Sequence, residues 1–353
     1  MGWYDRKVKQ ARDLSCGSRR VYLEFEIRRI FCKKCQRVKQ ERLDFLSNNN
    51  NYTYRLALVV GALCRTMTIK DVARKMNLDW HTVKEMEKEY MMAQLEKAGP
   101  PSPNVIGVDE ISVQKYKYKI IVSDLERRRP IWFGGEDRKE ASMDQFYTFL
   151  GEKKSKKIRL AVMDMWVPFR NSANANAPNA AILYDKFHVI CLLNKALDTV
   201  RNQEFFRIRS KSLMFMRGQK FILLSREENL TADKRAKLKL LLKANKKLNT
   251  AYILKESFDQ LWTYNSEVWA RKFFDNWKAQ LKWQRIKPFE KFAKSVEKNW
   301  DGIASYCKPE NKVPLGFVEG MNNKIRVIQR RAYGLRDEEY LRLKILTCML
   351  PEL

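Results

Sequence analysis

Residues 105–110 read Val-Ile-Gly-Val-Asp-Glu, and residues 158–164 read Ile-Arg-Leu-Ala-Val-Met-Asp. Each is a short, mainly apolar run that closes on an acid. Such runs suit strands buried on both faces of a sheet. Working outward, residues 118–123 (YKIIVS), 130–133 (PIWF) and 180–184 (AAILY) read as further strands, and 143–150 (MDQFYTFL) as a helix. Pro168 and Pro178 mark a helical or loop crossover before the last strand. Three strands, a helix, a strand, a crossover and a strand is the order of a ribonuclease-H-like α/β fold. Asp109 and Asp164 then follow their strands directly, where an α/β sheet presents rigidly held side chains.

The flanks have a different grammar. Val21, Leu23, Phe25 and Ile27 alternate with Tyr22, Glu24, Glu26 and Arg28, the period of a half-buried strand. With Cys32-Lys33-Lys34-Cys35 next, residues 16–46 read as strands carrying a cysteine knuckle, and Asn48–Asn51 as a loop. From Tyr54 to about Gly99 the period becomes helical. Ile69, Val72, Ala73 and Met76 share a face, Asn77-Leu78-Asp79 interrupts it, and Val83, Met86 and Tyr90 line a second helix starting at Trp80. This is a helix-turn-helix pattern, which would bring Lys70, Trp80, His81, Thr82 and Lys84 to DNA. A plain helical hairpin would show the same periodicity. Gly99-Pro100-Pro101-Ser102-Pro103 ends the region, since prolines stop helices. Residues 186–300 carry almost no strand signal. There Leu238, Leu241, Leu242, Leu248 and Tyr252, then Trp269, Phe273, Trp277 and Leu281, predict a helical bundle with the aromatic stripe in its core, the alternative being a base-stacking platform.

The 353 residues hold 70 Lys and Arg against 41 Asp and Glu, a formal charge of +29. An excess this large points to a polyanion, above all nucleic acid. It is uneven: residues 201–300 carry +14, but residues 101–200, with the two aspartates, only +4. No apolar run approaches the roughly 18 residues of a membrane helix. The charged N-terminus is not a secretory signal, and seven cysteines without one fit a reducing cytoplasm. A Walker loop and a G-x-G-x-x-G fingerprint are both missing. Two histidines, His81 and His188, cannot build a multi-histidine zinc centre.

A third acid stands out in Gly-Phe-Val-Glu-Gly-Met-Asn-Asn-Lys-Ile-Arg. Glu319 opens a helix on which Asn322, Asn323, Arg326 and Arg330 share its face, an acid beside amides and guanidinium groups. A glutamate near a helix start also complements the dipole, which accounts for Glu319 but not for the stripe. Three carboxylates without matching histidines suit Mg²⁺ or Mn²⁺, hard ions that prefer oxygen. A pair of such ions supports phosphoryl transfer.

The strings GVDEISV, IVSDLERRRPIWFGGEDRKEASMDQF, RLAVMDMWVPFRNS, ILYDKFHV and GFVEGMNNKIRVIQRRAYGLRDEEYLRLKIL resemble the DDE transposases of the bacterial ISL-three insertion-sequence family, as does MTIKDVARKMNLDWHTVKEM. The resemblance spans nearly the whole chain. It implies a ribonuclease-H-like core on which Asp109, Asp164 and Glu319 hold two Mg²⁺ or Mn²⁺ ions, interrupted by a long all-helical insertion. The expected parts are a cysteine-containing β region (1–50), a helix-turn-helix domain (51–100), the first part of the core (101–190), a basic insertion (191–310) and C-terminal helices completing the core (311–353). Asn323, Arg326, Arg330 and the helix-turn-helix residues would contact double-stranded DNA: the terminal inverted repeats of the element, and its target. A homodimer or higher synaptic assembly in the bacterial cytoplasm, at the nucleoid and not at a membrane, is implied by the pairing of two ends. Asp185 and His188 resemble an Asp-x-x-His signature of related transposases; the same pair would also steady a strand-to-helix turn.

One region departs from the family. Its members carry two cysteine pairs for zinc, and here the upstream pair is missing, which leaves Cys16, Cys32 and Cys35 as candidate ligands, one short of the four a structural zinc needs; a shortened start is the other reading. Cys64, Cys191, Cys307 and Cys348 read as inert core. Two other readings remain open: a catalytically silent DNA-binding regulator, and a metal-dependent nuclease on the same core.

Overall fold

The computed structural model describes the chain apart from residues 1, 115–116, 208–217, 314–315, 333–334 and 336, and apart from the side chains of Trp3, Gln114 and Glu319. In chain order the elements are β1 (Gly2–Cys16), β2 (Arg19–Cys32), β3 (Arg37–Gln40), α1 (Tyr54–Thr66), α2 (Ile69–Met76), α3 (Trp80–Ala98), β4 (Val105–Gln114), β5 (Lys117–Asp124) and β6 (Arg129–Gly134). There follow α4 (Glu140–Leu150), α5 (Glu152–Ser155), β7 (Leu160–Met163), α6 (Val167–Asn176), β8 (Ala181–Tyr184), α7 (Lys186–Arg207), α8 (Lys220–Leu224), α9 (Ala232–Ala244) and α10 (Lys246–Phe258). The last are α11 (Glu267–Gln284), α12 (Lys287–Lys298), α13 (Trp300–Ala304), α14 (Gly316–Arg331) and α15 (Glu338–Thr347). Contacts group into two compact units: Met1–Pro101 with Arg129–Phe133 and Gly320–Leu353, and Ser102–Arg128 with Gly134–Glu319.

In the first unit, β1, β2 and β3 form an antiparallel sheet in that order. Strand β1 escapes the sequence reading because, among its described side chains, those buried are Ala11, Arg12 and Asp13, which leaves no apolar alternation to see. The strand geometry corrects one expectation. Cys16 pairs with Arg19 beside the hairpin turn, whereas Cys32 closes the far end of β2. The 14 residues of β2 span roughly 45 Å, so Cys16 cannot share an ion with Cys32 and Cys35.

The sheet is locked to α1 by a buried acid. The Asp13 carboxylate accepts from Thr53 Oγ1 at 2.8 Å and from Arg55 Nε at 2.7 Å, and a second Arg55 nitrogen closes the fork. Hydrogen bonds from Arg55, then from Thr53 and the Leu14 N–H, hold its pKa well below the ordinary 3.8 and outweigh the opposing effect of burial. A carboxylate lowered in this way stabilises the fold above its unfolded value and loses that contribution as pH falls towards its folded value. Asp13→Asn is therefore expected to cost about 2 kcal/mol at pH 7, a figure that allows for the exposure of Arg55. In urea titrations the gap to wild type should shrink steadily below pH 4. A gap independent of pH would contradict the ion-pair account.

The helix-turn-helix is built from caps that its sequence supplies. Thr53 accepts from the Leu56 N–H, Thr68 from the Asp71 N–H and Asp79 from the His81 N–H. Asn77 ends α2 in the left-handed region at φ 52°, a conformation asparagine tolerates, and turns the chain into α3. Leu56, Val60, Val72, Ala73, Val83 and Met86 share the core. Helix α3 is also held by the C-terminal helix. Buried Glu87 takes hydrogen bonds from the Tyr340 hydroxyl and, at 2.6 Å, from Lys344 Nζ, while Asp337 pairs with Lys84 at 2.7 Å.

The second sheet has the order β6-β5-β4-β7-β8. Strand β4 runs antiparallel to β5 and parallel to β7, and β7 parallel to β8. Val105, Leu160, Val162 and Leu183 form one apolar cluster with Leu125 and Val318, as expected of strands covered on both faces.

Among the described residues the stretch after residue 186 is helical as read, with one correction. In α11 the buried residues are Ala270, Phe274, Trp277 and Leu281, and Trp269 is 60% exposed. A strict spacing of four drifts by about 40° at each step of a helix turning roughly 100° per residue, so a 4-3-4 stripe stays on one face and a 4-4-4 stripe does not. Trp277 donates its indole N–H to the Leu254 carbonyl at 3.0 Å and meets Phe258 and Phe292 edge-on. The cysteines need a correction too. Cys64 and Cys307 are buried and Cys348 half-buried, but Cys191 is exposed, because α7 turns Val189, Leu193, Ala196 and Val200 inward instead. Among the described residues no helix is long and apolar enough to cross a membrane.

Candidate active site

Strands β4 and β7 run side by side in parallel only at residues 105–107, where Gly107 faces Val162. Beyond that point β4 continues to Gln114 on β5, so Asp109 lies within its strand, opposite Ile121, and not directly after it as its sequence suggests. The antiparallel pairing with β5 supplies the backbone partners that prolong β4. Asp109 is half-buried, and its Oδ1 accepts from the Glu110 N–H at 2.7 Å. Asp164 follows the last residue of β7 as expected. It therefore leaves the sheet one strand away from Asp109.

Asp185 stands in the corresponding position after β8, and its backbone N–H donates to the Met163 carbonyl at 3.0 Å. Its Oδ1 caps α7 by accepting from the Phe187 N–H at 2.9 Å. His188, one turn further on, points its Nδ1 at Asp164 Oδ1, 2.6 Å away, and lies 3.5 Å from Asp185 Oδ2. Burial opposes a charge on this imidazole. The hydrogen bonds and negative charge of Asp164 and Asp185 prevail, pushing its pKa up to about 10. The motif thus holds its helix start and also reaches the second aspartate.

Glu110, which sequence reasoning passed over, faces Arg138 Nε at 2.5 Å. Burial raises its pKa, Arg138 opposes the rise, and the charges of Asp164 and Asp109 reinforce it. Its neighbour in sequence, an aspartate, drew the attention, and nothing in the chain text pairs residue 110 with residue 138.

The Glu319 side chain lies outside the described residues; its backbone is in the first turn of α14, as expected. The preceding Val318 packs into the cluster of Val105, Leu160 and Val162. A Cβ at Gly107 would lie 3.2 Å from Val318 Cγ2 and 2.9 Å from Leu125 Cδ2. Glycine at 107 thus permits α14 to start against β4, two residues before Asp109. Asn323, Arg326 and Arg330 are exposed further along α14, where Arg326 donates to Asn323 Oδ1 at 3.2 Å.

In the helix-turn-helix, Lys70, Trp80 and His81 are exposed, and Thr82 is half-buried. The Trp80 and His81 rings lie 3.5 Å apart between centroids, tilted by 31°. Lys84 is held by Asp337 and lies 5.0 Å from the Tyr340 ring. Hydrogen bonds from the Cys35 backbone and thiol, then from the Lys34 backbone, hold the Cys32 thiol below its ordinary value. The pair offers two of the four ligands of a structural zinc. Among the described residues no three or more His, Cys, Asp or Glu side chains gather to hold a metal.

Comparison with known proteins agrees across the chain. A family model described as a transposase matches residues 106–345, and one described as the helix-turn-helix domain of transposase family ISL3 matches residues 41–91. The chain is 31% identical to the transposase for insertion sequence element IS1001 of Bordetella parapertussis, covering 97% of this chain and 84% of that protein. It is 25% identical to the transposase for insertion sequence element IS1557 of Mycobacterium tuberculosis, over 96% of this chain and 81% of that one. The chain belongs to the ISL3 transposase family, with a helix-turn-helix DNA-binding domain ahead of its transposase domain.

Proposed function

We propose that this transposase binds the terminal inverted repeats of its own insertion sequence, then cuts and joins DNA through Asp109, Asp164 and Glu319. The reading takes residues 101–190 and 311–353 as a ribonuclease-H-like core and 191–310 as an insertion into it. Residues 51–100 are the end-reading domain, and residues 1–50 a cysteine-bearing β region. One observation carries it: adjacent strands bear Asp109 and Asp164, and Val318, next to Glu319, packs where Gly107 leaves room beside the first of them.

The donor set is oxygen-rich and suits Mg²⁺ or Mn²⁺. Asp109, Asp164 and Glu319 would hold the ions, which when bound activate the attacking oxygen and stabilise the leaving one. The His188 imidazole lies 2.6 Å from Asp164 Oδ1, where its charge would pair with that carboxylate, and Asp185 fixes the helix start that carries His188. The +14 of residues 201–300 supplies phosphate contacts that hold DNA without reading its sequence.

Trp80 and His81, exposed at the start of α3, would meet base edges with Thr82, and Lys70 the backbone. Lys84 turns to Asp337 and serves the docking of α15. Asn323, Arg326 and Arg330 would contact DNA along α14. Two ends must be paired, so the working form is a synaptic homodimer or larger assembly on nucleoid DNA in the bacterial cytoplasm. Trp80→Ala combined with His81→Ala is expected to weaken binding of labelled ends about tenfold in gel-shift titrations, leaving non-specific binding at low salt intact. An unchanged preference for the ends would remove α3 as the reader.

The deciding reaction combines labelled ends, target DNA and Mg²⁺ with the full chain. Ends cut to 3′-hydroxyls and joined to target are the expected products. Cutting without joining would make the protein a nuclease. Binding without cutting, in Mg²⁺ and Mn²⁺ alike, would make it a regulator.

A further inference from the structure

Arg138 lies in the short connection between β6 and α4, and its backbone is held firmly. Asp137 accepts from the Lys139 N–H at 2.9 Å and from Ser142 Oγ at 2.7 Å, bracing the loop against the start of α4. The guanidinium sits 4.7 Å from the Trp166 ring and 5.3 Å from the Tyr118 ring, with Nε 2.5 Å from the Glu110 carboxylate. The contact with Trp166 is double, since the indole N–H donates to the Arg138 carbonyl at 2.8 Å. The Trp166 N–H in turn donates to the Asp164 carbonyl at 2.7 Å. An unbroken path therefore runs from Asp109 through Glu110, Arg138 and Trp166 to Asp164.

We infer that Arg138 is a positioning residue that holds the Asp109 strand and the Asp164 loop in fixed register. The inference rests on the reading of Asp109 and Asp164 as metal ligands. Arg138 spans the gap between them, and its planar cation can lie along two rings while its edge faces a carboxylate, which a lysine ammonium cannot reproduce. Its charge also offsets that of Glu110. Without it, the half-buried Glu110 carboxylate would act unopposed on the two aspartates beside it.

The test is Mn²⁺ binding to the full-length protein, followed by electron paramagnetic resonance without DNA, so that turnover is not the readout. Arg138→Ala should raise the Mn²⁺ midpoint roughly tenfold or more, the usual effect of removing a group that orients metal ligands. Arg138→Lys, which keeps the charge and loses the stacking, should fall between it and wild type. Metal-free binding of labelled element ends should stay unchanged in both, which a general loss of structure would not allow. Should Arg138→Ala fail to fold, Arg138→Lys and Trp166→Phe carry the same test, each cutting one arm of the bridge. Midpoints within twofold of wild type in the folded variants would overturn the inference. Asp109→Asn and Asp164→Asn are measured in parallel. If they lose Mn²⁺ binding while the Arg138 variants keep it, only the positioning role falls. If they bind Mn²⁺ like wild type, the carboxylate assignment falls.

Discussion

Asp164→Asn is expected to lower strand cleavage at least a thousandfold while end binding stays within about twofold of wild type. An amide keeps the shape of the carboxylate but removes the charge that draws a metal ion to the end of β7. A thousandfold corresponds to about 4 kcal/mol of transition-state stabilisation, within the range of a metal that neutralises developing charge. Helix-turn-helix binding depends on different residues, so the two activities should separate cleanly. His188→Gln provides the comparison. It removes the imidazole that pairs with Asp164 but leaves the carboxylate, and should cost about tenfold to a hundredfold. Equal losses in both variants would mean that Asp164 acts through His188 and not as a ligand. Cleavage by Asp164→Asn at the wild-type rate would remove it from the site.

Gly61→Ala should destabilise the first unit by at least about 2 kcal/mol. Two effects oppose each other. Replacing glycine by alanine inside α1 favours the helix by about 1 kcal/mol. The new methyl, however, would lie 2.3 Å from both Cβ and Cγ of Tyr90, far inside any tolerated contact. Those atoms sit next to the backbone of α3 and cannot swing away as the tip of a side chain could, and Tyr90 is buried. Overpacking of this kind costs typically 1–3 kcal/mol and sometimes more, so the clash outweighs the propensity gain. Forcing α1 from α3 should also displace the helix that carries Trp80 and His81. Urea unfolding and end-binding titrations should therefore move together. An alanine variant as stable as wild type would show that the two helices are not packed this closely.

The chain text reveals much of the local structure because each piece follows from nearby residues. Thr68, Asn77 and Asp79 mark the boundaries of the two helices within a dozen positions. The apolar runs before Asp109 and Asp164 mark strands buried on both faces. Strand β1 is hidden because its described side chains bury Ala11 and the two charged residues beside it without an apolar alternation, and the α11 stripe is misphased by one residue through the drift of a four-residue spacing. The limits of β4 were hidden for another reason. Its extension past Val108 depends on pairing with β5, a partner that supplies hydrogen bonds and no side-chain pattern.

By itself, then, the sequence determined the element types, the caps, the basic character and the acids worth attention, all of which depend on residue chemistry and short-range spacing. Tertiary structure alone decided which of these groups meet. It set His188 on Asp164, Arg138 between Glu110 and Trp166, Glu87 under Tyr340, and Cys16 at the opposite end of a hairpin from Cys32. Each pairing depends on where strands and helices pack. Packing minimises exposed apolar surface over the whole chain, so no local pattern of residues encodes it.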